Sequence, residues 1–179
     1  MLCTKLKLAV LHFAVAEGRT AMCELLLRDG RANVNAMSDE FGTPLHVAAA
    51  KNHCVIAATL LVHDVDANAR NIDGETALML ACRKGRIDMV RLLLDRAKNI
   101  DVYLRDNVVG NTCLHEAGTL RSSSFDVKLL ICALGIHGVF SALHNHVEIC
   151  QLLLSRFPKL AAVRNTMYRY VAVSSSLLS

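Results

Sequence analysis

The sequence predicts an all-α solenoid, a stack of helix-turn-helix units joined by projecting turns, and three observations predict it. Leucine recurs as an anchor at Leu11, Leu45, Leu78 and Leu114, spaced by 34, 33 and 36 residues, and self-similarity at a fixed period of roughly 20–50 residues is the mark of stacked repeats. Three places after each anchor stands a small residue, Ala14, Ala48, Ala81 or Ala117. Fifteen and sixteen places after the first three anchors stand Leu26-Leu27, Leu60-Leu61 and Leu93-Leu94. The aromatic content of 4% and the absence of tryptophan fit helices that pack closely through Ala and Leu.

Each unit reads as two antiparallel helices and an extended turn. In the second unit Thr43 supplies an N-cap, Pro44 takes the first helical position where its missing N–H costs nothing, and Leu45, Ala48 and Ala49 face inward. Gly18, Asn52 and Gly85 close the first helices, because the chain must reverse there through a left-handed conformation. The second helix carries the apolar stripe, as in Ile87, Val90, Leu93 and Leu94, with Arg86, Asp88 and Arg91 outward. Asp39-Glu40-Phe41-Gly42, Asn71-Ile72-Asp73-Gly74 and Arg105 to Gly110 supply the turns. The third unit is longer, and its extra residues are expected between Arg96 and Val102.

The fourth unit opens normally at Gly110-Asn111-Thr112-Cys113-Leu114-His115-Glu116-Ala117, but its continuation comes only at Ala142-Leu143-His144-Asn145-His146-Val147. Omitting 118–141 places Leu153-Leu154 fifteen and sixteen positions after Leu114, in register with the other units. Two readings follow, a natural loop between the paired helices or an insertion from a retained intron or alternative exon. The apolar run Val127 to Leu134 favours the second, since surface loops are usually polar. The organisation is therefore a repeat domain over 1–165, with units at about 7–38, 39–73, 74–109 and 110–165, the last containing the insertion 118–141. The tail 166–179 has no Leu-His pair and reads as a truncated repeat of a longer array.

The stretch Gly42-Thr43-Pro44-Leu45-His46-Val47-Ala48-Ala49, with its partial copies at Thr76-Ala77-Leu78 and Thr112-Cys113-Leu114-His115, resembles the ankyrin repeat family. That resemblance implies a structural role for His12, His46 and His115, which occupy one position of the repeat. Beside the N-cap threonine, such an imidazole can bond the threonine hydroxyl and the backbone of the neighbouring turn, tying one unit to the next. Met79 takes this place in the third unit, where the tie is expected to be weakened. The resemblance also implies a binding face made of the turn tips and the exposed positions of the first helices. Here these are Glu40, Phe41, Lys51, Ile72, Asp73, Glu75, Arg83, Lys84, Val108, Val109 and Asn111. Phe41, Ile72, Val108 and Val109 are apolar where a free turn prefers polar residues, as a contact surface requires.

Other chemistry finds little support. The seven cysteines are scattered and odd in number with no Cys-x-x-Cys pair, which argues against a disulfide framework or zinc site and for a reducing, intracellular setting, cytoplasmic or nuclear. Cys82 and Cys113 fall where the family uses small or apolar residues and read as buried, inert thiols. His144-Asn145-His146 lacks a third ligand at suitable spacing, so no metal is expected. Phosphate-loop, dinucleotide, zinc-protease and serine-elbow motifs are absent, so neither catalysis, a cofactor nor a small-molecule substrate is predicted. Leu8 to Ala16 behind Lys5 and Lys7 has the outline of a signal peptide, but His12 interrupts it and its residues keep repeat register. The apolar segment 129–143 is shorter than the roughly 20 residues that span a membrane. Arg83, Lys84 and Arg86 form a small basic group without interleaved aromatics, a poor basis for nucleic-acid binding. The reading is thus of a non-catalytic scaffold or adaptor that binds another protein, or of the recruiting part of a larger enzyme or ubiquitin-ligase component.

Overall fold

The computed structural model describes residues 10–30, 32–118 and 146–163. They form paired helices: α1 (10–16) with α2 (Thr20–Arg28), α3 (Pro44–Lys51) with α4 (Cys54–Val62), α5 (Ala77–Arg83) with α6 (Ile87–Arg96), and α7 (Cys113–Gly118) with α8 (Val147–Arg156). A short 3-10 helix, Pro158–Ala162, follows. Among the described residues there is no sheet, and the lone β-bridge, Ser38 to Gly42, closes the first turn.

The first helices pack side by side, α3 on α5 and α5 on α7, while α2, α4, α6 and α8 form a second layer behind them. The anchors Leu11, Leu45, Leu78 and Leu114 are fully buried between the layers, with Leu60, Leu93 and Leu153 opposite and Ala48, Ala81 and Ala117 lining the close approach. Small residues at these places let the short helices come near one another, so the periodic alanines are a packing requirement.

The first helices α1, α3 and α5 reverse where expected. Gly18, Asn52 and Gly85 have φ of 68°, 63° and 68°, the left-handed region that Gly and Asn enter most easily. At Gly85 a second constraint applies, because the imidazole of His146 occupies the space a Cβ would need. His53 lies against Gly18 in the same way, and His53 and His146 stand before α4 and α8 respectively. With 118–141 left out of the count, His146 follows Leu114 by eight places, as His53 follows Leu45. Residues 119–145, which hold nearly all of that segment together with His144 and Asn145, lie outside the described residues, as does the tail 164–179.

The extra length of the third unit is divided differently from the expectation. Asn33, Asp66 and Asp101 are equivalent, since each side chain accepts the backbone N–H two residues ahead. Two extra residues precede Asp101, and a third lies in the turn itself, where Asp106 stands six places before Thr112 while Asn71 stands five before Thr76. The turn can lengthen because Asp106 has two carboxylate oxygens to bind it, a capacity that residue spacing does not reveal.

Candidate functional site

The turns project as a row of fingers from the N-terminal ends of the first helices, and each is tied internally by one polar residue. Ser38 Oγ accepts the N–H groups of Glu40 and Phe41 at 3.3 and 3.4 Å. Asn71 Oδ1 accepts those of Asp73 and Glu75 at 3.0 and 2.8 Å. Buried Asp106 takes four: Val108, Val109 and Gly110 on Oδ1 at 2.7–3.1 Å and Asn111 on Oδ2 at 3.0 Å. Side chains of this kind bind their own turn because they mimic the next peptide carbonyl.

Between fingers, His46 makes both of the contacts that the resemblance implies, while His12 and His115 each make one of them. His46 Nδ1 accepts the Thr43 N–H at 3.1 Å and meets the Thr43 hydroxyl at 2.7 Å, so the ring's proton sits on Nε2, which donates to the Glu75 carbonyl at 2.9 Å. His12 Nε2 donates to Gly42 O at 2.9 Å, and His115 Nδ1 repeats the contact with Thr112. Burial holds the His46 pKa below the ordinary value, keeping the imidazole neutral as this double role demands. Met79 has no such nitrogen, and Thr76 there only accepts the Met79 N–H at 3.3 Å.

A second tie was not evident from the sequence. Asn35 Oδ1 accepts the N–H of Asp66, and Asn68 accepts that of Asp101 while donating to Asn99 O, all at 2.8 Å. The signal that could have found these bonds is the recurrence of asparagine one repeat apart at 35 and 68; Tyr103 interrupts it in the third unit. Arg70 likewise reaches across, donating to Arg105 O and to Asn107 Oδ1.

The eleven expected contact residues separate into two sets. Glu40, Phe41, Lys51, Ile72, Asp73, Lys84 and Val108 are exposed, and Val109 is partly so. Phe41, Ile72 and Val108 stand out at 53%, 74% and 72% exposure, one on each of three successive fingers. Glu75 and Asn111, by contrast, are buried and serve the interior together with partly buried Arg83. Glu75 grips Arg83 with both oxygens, Asn111 Nδ2 donates to Glu116 at 2.8 Å, and Arg83 Nε lies 3.9 Å from Glu116. Their short spacing from Arg83 and Glu116 brings them onto the same first-helix surface, so they act as internal partners and not as projecting contacts. The basic group is corrected in the same way: the Arg83 charge is met by two carboxylates, leaving Lys84 and Arg86 exposed. Burial raises the Glu116 pKa above the usual carboxylate value, against the Asn111 and Arg83 interactions that lower it.

Among the described residues four thiols are interior, Cys23 and the three near α7. Cys82, Cys113 and Cys150 are buried, Cys113 donates to Val102 O at 3.4 Å, and burial pushes Cys82 well up and Cys150 up to about 11. Thiols held protonated are poor nucleophiles at neutral pH. Among the described residues no group of His, Cys, Asp or Glu side chains is arranged to hold a metal ion, and no helix is long and apolar enough to cross a membrane.

Two layers of short helices with fingers projecting from one edge define a helical-repeat solenoid, whose characteristic feature is an extended surface in place of a cleft. The model for ankyrin repeats (three copies) matches residues 2–71 and 56–140, and the chain belongs to the ankyrin repeat family. It is 45% identical over 75 residues to the E3 ubiquitin-protein ligase XBAT33 of Arabidopsis thaliana, covering 42% of this chain and 14% of that protein. It is 32% identical over 126 residues to the probable E3 ubiquitin-protein ligase XBOS32 of Oryza sativa subsp. japonica, covering 70% and 20%. A match of 32% over 122 residues to the human transient receptor potential cation channel subfamily A member 1 covers 68% and 11%. The chain thus spans a fifth or less of the length of these relatives, and the similarity concerns the repeat region.

Proposed function

We propose that this chain is a protein-binding module that docks a partner on its fingers and on the exposed positions of its first helices, without chemical change to either. The observation that carries this reading is the row Phe41, Ile72 and Val108, three large apolar side chains exposed on successive fingers whose bases are tied by internal hydrogen bonds. Exposed apolar groups on a preorganised frame can bind with little ordering cost. Glu40, Asp73, Lys51 and Lys84 provide the polar surroundings. Affinity capture from cell extract, comparing the parent with Phe41→Ala/Ile72→Ala, should show a defined set of proteins lost from the variant with its helical signal unchanged. Identical capture by the two, and by Lys84→Ala, would remove the finger assignment. The location that goes with this reading is intracellular.

The matches to two E3 ubiquitin-protein ligases favour a second reading, in which these repeats recruit substrates for a longer ligase. A transcript that continues in frame into a ligase segment would support it, and one that encodes only this repeat region would count against it. We also propose that 118–141 is foreign to the repeat, on the support of the matching positions of His53 and His146. Its deletion should raise the midpoint of denaturant unfolding; a lower midpoint would mark it as integral to the domain.

A further inference from the structure

We propose that the back of the second unit, away from the fingers, is a self-association surface on which a second copy of this chain docks, α4 against α4 in parallel, about a two-fold axis running along that helix. Val55, Ala58, Thr59 and Val62 stand ten, thirteen, fourteen and seventeen places after Leu45, the spacing of a single helix face. Val55 and Val62 are 66% and 74% exposed, and the Thr59 hydroxyl is already donated to the Val55 carbonyl at 3.1 Å. No charged residue lies anywhere in α4. At the equivalent places α2 carries Glu24 and Arg28, and α6 carries Asp88, Arg91 and Asp95, all in water. Single exposed valines are ordinary, but an uncharged stripe framed by charged neighbours has the layout of a contact surface.

The flanking charges identify the occupant. The helices α2 and α6 pack on either side of α4, and residues equally far from their anchors stand at equal heights along these parallel helices. Thirteen places on, α2 has Glu24 and α6 has Arg91; at seventeen they have Arg28 and Asp95, and at eighteen Asp29 and Arg96. A two-fold axis along α4 lays the α2 of each copy over the α6 of the other and preserves heights, so each of these charges meets its opposite, and Val55 and Val62 meet their own counterparts. Ala58 between them lets the two helices approach. An interface of this kind is self-complementary. An antiparallel arrangement that pairs Val55 with Val62 would instead set Glu24 against Glu24 and Arg91 against Arg91, and shifting the register to separate them would unpair the valines. Asp88 faces Ala21 and gains nothing, and Asp95 also binds Arg156 of its own chain at 2.6 Å. The discriminating pair is therefore Glu24 with Arg91, whose side chains make no ion pair among the described residues. Three helices of nine or ten residues, at a rise of about 1.5 Å and a separation of about 10 Å, give a footprint of about 400 Å² per copy. That is about half of the usual share of roughly 800 Å², so the dimer is weak and reversible. Joined back to back, both copies keep their first helices and fingers uncovered, which makes the pair bivalent.

Sedimentation equilibrium of the full chain tests this, with reductant present so that no disulfide contributes. Over about 2–200 µM, the range in which so small an interface fills, the mean mass should rise from that of a monomer toward twice that value. Val62→Lys, with its circular dichroism intact, should stay monomeric throughout. Glu24→Arg turns two attractions of the dimer into two repulsions and should weaken it about tenfold, and adding Arg91→Glu to the same chain should restore it. Phe41→Ala/Ile72→Ala should leave the dimer unchanged, which separates this surface from the fingers. A parent chain that is monomeric at every concentration, or a dimer that survives Val62→Lys or is lost in the finger variant, would overturn the proposal. Rescue of Glu24→Arg by Arg28→Glu and not by Arg91→Glu would overturn the parallel two-fold arrangement.

Discussion

The second unit meets the third through long polar reaches, whereas the third meets the fourth without the same groups. At the first junction His46 bonds the Glu75 carbonyl, Asn68 bonds Asp101 and Asn99, and Arg70 bonds the third finger. At the second, Met79 stands where the histidine was and Tyr103 where the asparagine was. The third finger is instead bound from within by Asp106, and the junction is filled by Met79, Cys82, Cys113 and Cys150, with the Arg83 and Glu116 side chains beside them. The same fold is therefore held by one set of cross-unit hydrogen bonds on one side, and on the other by burial, a self-contained turn and a different set of cross-unit contacts, Cys113 to the Val102 carbonyl and Arg156 to Asp95. Burial tolerates this exchange because it has no direction, while a hydrogen bond needs both partners in place.

The largest effect is expected from breaking the self-contained turn. Asp106→Ala leaves four backbone N–H groups without their acceptor, and since bonds to charged groups contribute about 1.5–3 kcal/mol each, partial rehydration should leave a net loss of about 3 kcal/mol. Denaturant titration checks it, and a loss like that of an ordinary surface substitution would show the third finger to be held by something else. His46→Met, which gives the second junction the residue of the third, should cost less, about 1–3 kcal/mol for the carbonyl and N–H left unpaired.

The same substitution sharpens the contrast through pH. Because the folded-state pKa of His46 lies below the ordinary value near 6.5, the unfolded chain takes up this proton first as pH falls. The histidine's contribution is fully present above about pH 6.5 and declines as the pH falls toward the folded-state pKa. Glu116, whose pKa is raised, works in the opposite sense over the range above the usual carboxylate value. Comparing the parent with His46→Met isolates the histidine: the stability difference between them should narrow from pH 7 to pH 5, and a constant difference would refute a neutral, buried tie. The smallest effect belongs to Met79→His, which offers the third unit the missing bond to the Asn111 carbonyl while removing a buried thioether. A gain below about 1 kcal/mol is expected, and a large loss would show that the junction depends on the methionine's packing.

The sequence by itself determined the repeat and the contacts of His46, because those follow from periodicity and from neighbours that recur with each unit. It also located the reversals at Gly18, Asn52 and Gly85, where local backbone sterics decide. Only the tertiary structure decided which polar residues face outward. Glu75 and Arg83 have the composition of a binding surface, yet stacking brings them together with Asn111 and Glu116 and consumes their hydrogen-bonding capacity inside the face. Asn35 and Asn68 find their partners only in the next unit laid beside them. The physical reason is that periodicity reports which side chains must leave water, whereas the cross-unit partner of a polar side chain such as Asn35 or Asn68 lies some thirty residues away, in a position that exists only once the units are stacked.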